Sequence, residues 1–169
     1  SDFGLSDSKK TILYAPTFYP SSIECFSRSF PSEFSDYNII IKPHYFSLDA
    51  NKYAKQKALL EVWGAADNVY LASVNELNIV PFLAISDLLI SDASSTLFEF
   101  AALDKPVVWC DFYKLRWAYR GIFSFRFNNR MDEDLYRYAD IAVHAATYSS
   151  LKKVVQQQLA CPGEYSVIR

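Results

Sequence analysis

Glycine is scarce, with four in 169 residues. Neither of the glycine-built phosphate cradles, GxGxxG or GxxxxGK[ST], is present. Cysteine is also rare and odd in number: Cys25, Cys110 and Cys161 have no metal-ligand spacing and argue against a disulfide framework. The chain therefore reads as a reduced, cytosolic-type protein. No sign of charge dominates. The formal net charge of −2 supplies no general basic field, which argues against nucleic acid as a partner. No apolar run approaches the ~20 residues that span a bilayer, and the polar start SDFGLSDSKK is no signal peptide. Neither an obligatory metal nor a cofactor is expected. The two ends, SDFGLSDSKK and GEYSVIR, read as those of a piece of a longer protein.

Apolar material, by contrast, is plentiful. Hydrophobic residues make up 51% of the chain and aromatics 17%, enough to bury a sizeable core and too much for a disordered chain. Short β-rich runs alternate with longer helical patterns. Strands are predicted at residues 11–15 (TILYA), 37–42 (YNIIIK), 68–72 (NVYLA), 87–91, 106–110 and 141–143. Helices are predicted at 48–63, 75–86 (with Pro81 either near its first turn or kinking it), 95–103, 134–138 and 149–159. The alternation indicates βαβ units. The expected fold is α/β, a Rossmann-like doubly wound parallel sheet of about six strands, formed as a single domain over residues 1–169.

In such sheets ligands bind beyond the carboxyl ends of the strands. The chemically suggestive residues fall there: Thr17, His44, Ser73, the knot Ser91-Asp92-Ala93-Ser94-Ser95, and Asp111. The knot separates two apolar runs. Ser94 is a natural N-cap, with Thr96 and Glu99 in the polar first turn that follows. A capped helix needs nothing more than this. Yet the unpaired N–H groups of a helix start, with Ser94, Ser95 and Thr96 hydroxyls beside them, also suit a phosphate. Asp92 repels phosphate; it either holds the loop through backbone N–H groups or binds a ribose hydroxyl. His44 follows a buried strand and is a functional candidate, whereas His144 is read as structural. Arg120, in KLRWAYRG, either lies on a solvated face or reaches a phosphate.

Three segments carry a resemblance: KTILYAPT (10–17), IIKPH (40–44) and ISDLLISDASSTLFEFAALDKP (85–106). With the later DFYKLRWAYRG (111–121), they resemble the CDP-glycerol glycerophosphotransferases of teichoic-acid and capsule synthesis. The resemblance implies the C-terminal, nucleotide-binding half of a two-domain GT-B architecture. Ser94, Ser95 and Thr96 would hold the CDP pyrophosphate, and His44, from Lys42-Pro43-His44, would face the transferring phosphate. The cytidine would lie near Thr17 and the loop after Ala72. Implied partners are CDP-glycerol or a related nucleotide donor, an N-terminal GT-B domain, and a polymer or lipid-linked acceptor at the cytoplasmic membrane face. One departure stands out, since the family's usual TDYSS is here Ser91-Asp92-Ala93-Ser94-Ser95. Two other readings compete: a UDP-sugar transferase or epimerase-like GT-B domain, and a nucleotide-binding module without turnover.

Overall fold

The computed structural model describes residues 3–49, 51–115, 137–164 and 166. The apolar runs form β1 (Thr11–Ala15), β2 (Asn38–Ile41), β3 (Val69–Leu71), β4 (Leu88–Ser91), β5 (Val107–Cys110) and β6 (Val143–Ala145). All pair in parallel, in the order β3-β2-β1-β4-β5-β6. The described helices are α1 (Phe30–Glu33), α2 (Tyr45–Asp49), α3 (Ala54–Gly64), α4 (Val80–Ile85), α5 (Thr96–Ala101) and α6 (Tyr148–Ala160). The expected Rossmann-like α/β sheet is what the chain forms.

Strand side chains alternate between faces, and both faces are covered, which explains why the central strands are apolar without interruption. On one face Ile12, Tyr14, Ile39 and Ile90 pack with Phe30, Trp63 and Leu151 from α1, α3 and α6. On the other, Leu13, Ile40, Leu89 and Trp109 pack with Phe82 and Phe100 from α4 and α5. The first face is an aromatic stack: Tyr14 lies over Phe26 at 4.5 Å, and Trp63 donates its indole N–H to the Ser27 carbonyl at 3.0 Å. Thr147 starts α6 with a capping box, exchanging hydrogen bonds with Ser150.

Four stretches depart from the sequence pattern. The helix predicted at 48–63 is broken into α2, a 3-10 turn (Asn51–Tyr53) and α3, and it starts earlier, at Tyr45. Buried Ser47 and Gln56 bridge the break through a side-chain hydrogen bond of 2.8 Å. The helix predicted at 75–86 begins only at Val80, with Pro81 in its first turn. Before it, Glu76 folds back to accept from the Ser73 N–H at 2.6 Å and the Tyr70 hydroxyl at 2.8 Å, which holds residues 73–76 out of a helix. β6 lies two residues later than expected, because Ile141 closes a 3-10 turn (Ala139–Ile141) and His144 stacks on Trp109 across the ladder. Residues 18–36, for which no element was expected, contribute α1 and a 3-10 turn (Ile23–Cys25). Most of the helix predicted at 134–138 lies outside the described residues. Among those described, no helix is long and apolar enough to cross a membrane.

Candidate functional site

β1 and β4 are neighbours, paired through Ala15 and Ser91, but the chain leaves them in opposite directions, toward β2 and toward β5. That reversal opens a crevice at the carboxyl ends of the two strands. The loops after β1, β2 and β4 converge on a hollow of about 170 Å³ there. Thr17, Lys42, His44, Ser94 and Thr96 line it, and Leu77 and Ile79 close one side.

The knot divides by direction. Ser91 is buried and donates its hydroxyl to the Ala15 carbonyl at 2.6 Å, clamping β4 to β1. Asp92, only 1% exposed, also faces inward. Its carboxylate accepts from the Thr17 N–H at 3.0 Å and the Ser22 N–H at 3.2 Å. Of the two roles open to it, holding the loop is the one this geometry serves; a buried carboxylate with these partners is not presented to a ribose. Burial raises its pKa to about 6, against the opposing pull of the Ser22 and Thr17 hydrogen bonds. Ser94 and Thr96 face the hollow.

Ser95, not Ser94, occupies the N-cap position of α5, and it makes no capping hydrogen bond through its side chain. Ser94 takes over that task one residue early, accepting from the Thr96 N–H at 3.3 Å and donating to the Thr96 hydroxyl at 3.2 Å. Among the described residues no acceptor meets the backbone N–H of Ser94 or Ser95. Ser95 is exposed and does not line the hollow. The Thr17 hydroxyl is committed to its own loop, donating to the Pro20 carbonyl.

His44 immediately precedes α2. Its Nδ1 accepts the Phe46 N–H at 3.3 Å, so the ring caps the first turn of that helix. The rings of Phe18, Tyr45 and Phe46 surround it, with centroids 4.6–5.1 Å away. Burial and then the Lys42 ammonium push the imidazole pKa down. Burial likewise lowers the pKa of Lys42, with the Glu76 carboxylate opposing.

Other sequence candidates lie apart. Asp111 accepts from His144 Nδ1 at 2.9 Å, and His144 Nε2 meets the Ala139 carbonyl at 3.2 Å, so both ring nitrogens are engaged within the fold. Ser73 is bound to Glu76 and does not line the hollow. Arg120 lies outside the described residues. Lys42, Leu77 and Ile79 were not singled out individually by the sequence. The available signal for Lys42 was a lysine ending the apolar run of β2; nothing local marked Leu77 and Ile79.

A family model described as CDP-Glycerol:Poly(glycerophosphate) glycerophosphotransferase matches residues 1–121, a span that contains the whole hollow. The chain belongs to this family. Among relatives of the chain, the teichoic acid glycerol-phosphate primase of Bacillus spizizenii (strain ATCC 23059 / NRRL B-14472 / W23) is 37% identical over 110 residues. The match takes in 64% of the present chain and 27% of the primase. A structure of the wall teichoic acid polymerase TagF superposes with a TM-score of 0.59 at 21% identity, over 98% of this chain and 39% of that one. The same polymerase soaked with CDPG gives 0.53 at 24% identity, over 94% and 37%. UDP-GlcNAc 2-epimerase from Neisseria meningitidis, bound to UDP-GlcNAc, gives 0.58 at 15% identity, over 98% and 40%, a likeness of fold alone. The family chain thus spans about a quarter of the primase and two fifths of the polymerase.

Proposed function

We propose that the hollow is the donor site of a glycerophosphotransferase acting in teichoic-acid or capsule synthesis, and that its donor is CDP-glycerol. The observation that carries this reading is convergence: Thr17, Lys42, His44, Ser94 and Thr96 come from three loops and meet in one crevice. At about 170 Å³ the hollow is smaller than the roughly 300 Å³ or more that encloses a drug-sized ligand. It suits a pyrophosphate better than a whole nucleotide. The cytidine would extend over Thr17 and the 73–79 loop, where Leu77 is 75% exposed.

In the transfer, an acceptor hydroxyl attacks the β-phosphorus of CDP-glycerol. A new O–P bond forms, the bond between that phosphorus and the bridging oxygen breaks, and CMP leaves with the electron pair while the acceptor loses its proton. Negative charge grows on the bridging oxygen. Fixed N–H and O–H donors and a lysine at the pyrophosphate stabilise that charge without having to reorganise. Ser94, Thr96 and Lys42, which line the hollow, would do this, and Arg120 remains a further proposed phosphate contact. The acceptor would be a polymer or a lipid-linked chain, presented at the cytoplasmic membrane face by the full-length protein. The wall opposite the hollow would come from an N-terminal GT-B domain.

Calorimetric titration with CDP, CDP-glycerol, UDP and UDP-GlcNAc tests the assignment. CDP and CDP-glycerol should bind, and the Ser94→Ala/Thr96→Ala double variant should weaken them by ~1–2 kcal/mol, because the backbone N–H groups survive. Selective binding of UDP-GlcNAc would favour an epimerase-like site, and silence toward every nucleotide would remove the reading.

A further inference from the structure

We propose that Lys42 is the cation of this pocket and that His44 serves it as an uncharged ring, donating through Nε2–H. The inference rests on the donor-site reading but follows from geometry that reading did not use. A ring nitrogen that accepts an N–H must carry a lone pair. In His44 that nitrogen is Nδ1, fixed by the Phe46 amide that it caps at 3.3 Å. The neutral tautomer compatible with this bond places its proton on Nε2. Nε2 is then the ring nitrogen without a partner among the described residues, on a side chain whose residue lines the hollow.

Protonating the ring would turn Nδ1 into a donor aimed at another donor, and the cap would be lost. The surroundings push the same way. Phe18 arrives from the β1 loop and Tyr45 and Phe46 from α2, all apolar ring faces. The charged group acting on the imidazole is Lys42, two residues upstream, and it repels an imidazolium. Asp92, the acid within the knot, is turned inward onto Thr17 and Ser22. Charge for a phosphate is left to Lys42, whose own carboxylate neighbour is Glu76.

The chain holds two histidines, so imidazole 15N spectra of the labelled protein resolve His44 by comparison with His44→Gln. At pH 7 the His44 signals should show protonated Nε2 and bare Nδ1. Spectra showing Nδ1–H, or a ring doubly protonated at pH 7, would overturn the proposal whether or not any nucleotide binds. CDP-glycerol, which has no phosphate ionisation near neutrality, and inorganic pyrophosphate then serve as probes. CDP-glycerol affinity should be level from pH 6 to 8. His44→Ala should lose about tenfold, the scale of one hydrogen bond to a charged group, and His44→Gln, which keeps a neutral N–H, should recover most of it. Lys42→Met should lose at least about tenfold and flatten the salt dependence.

Affinity that climbs below pH 6.5 in the wild type and not in His44→Gln would identify imidazolium as the binding form and sink the idea. So would a Lys42→Met variant that binds as well as wild type. If pyrophosphate at a fixed pH of 8 shows the same losses in the variants and CDP-glycerol does not bind, the roles of Lys42 and His44 stand and the donor assignment falls. If neither binds, both fall.

Discussion

At the residue scale, Asp92 ties the knot to the β1 loop from inside the fold. Its carboxyl holds a proton more tightly when folded, with a pKa near 6 against the ordinary 3.8. The folded state therefore binds more protons between those values. Its contribution to stability is fully present below about pH 4, declines as pH rises toward 6, and stays low above that. Between pH 7 and pH 5 the wild type should gain ~1 kcal/mol from this group. Urea unfolding at the two pH values should show Asp92→Asn lacking that gain; an identical pH dependence in both proteins would refute the assignment. Asp92→Ala should cost more, ~2–3 kcal/mol, because the Thr17 and Ser22 N–H groups lose their buried acceptor.

At the element scale, the close approach of α3 to β3 depends on Gly64. A Cβ built there would meet Leu71 Cδ2 at 2.9 Å and Leu71 Cβ at 3.0 Å, and the latter sits on the strand backbone and cannot swing away. Alanine gains at most ~1 kcal/mol in helix propensity, less at a final helical residue. Overpacking costs ~1–3 kcal/mol, so the clash wins. Gly64→Ala should lower the melting temperature by several degrees and leave CDP affinity unchanged; a raised melting temperature would contradict the packing. The same scale explains which elements were legible. Strand centres were readable because β2 (NIII) and β5 (VVWC) are buried on both faces and admit little but apolar residues. Helix starts were not, because α2 is capped by a histidine and the residues before α4 are diverted by Glu76.

At the scale of the whole molecule, the chain spans 27% of the primase and 39% of the TagF polymerase. A hollow open on one side holds a ligand partly solvated and positions no acceptor. Positioning supplies up to ~7–11 kcal/mol of a barrier. The 169-residue chain should therefore bind CDP weakly, in the high micromolar range or above, and release no CMP from CDP-glycerol and a lipid-linked acceptor. Acceptor-dependent CMP release at rates near those of a full-length relative would place the whole machinery within this chain.

The sequence by itself determined the sheet, the alternation of strand and helix, and the polar residues at strand ends, because periodicity and turn chemistry are local. It also carried the family, since KTILYAPT, IIKPH and the SDASS segment keep their order along the matched span. The tertiary structure alone decided which polar residues share a site. Thr17 and Asp92 lie 75 positions apart, and only the β1–β4 pairing brings their loops together. It also decided direction. Ser91 and Asp92 turn inward while Ser94 and Thr96 face the hollow, and Lys42, Leu77 and Ile79 join them. Burial is set by neighbours from distant segments, and no local pattern carries that information.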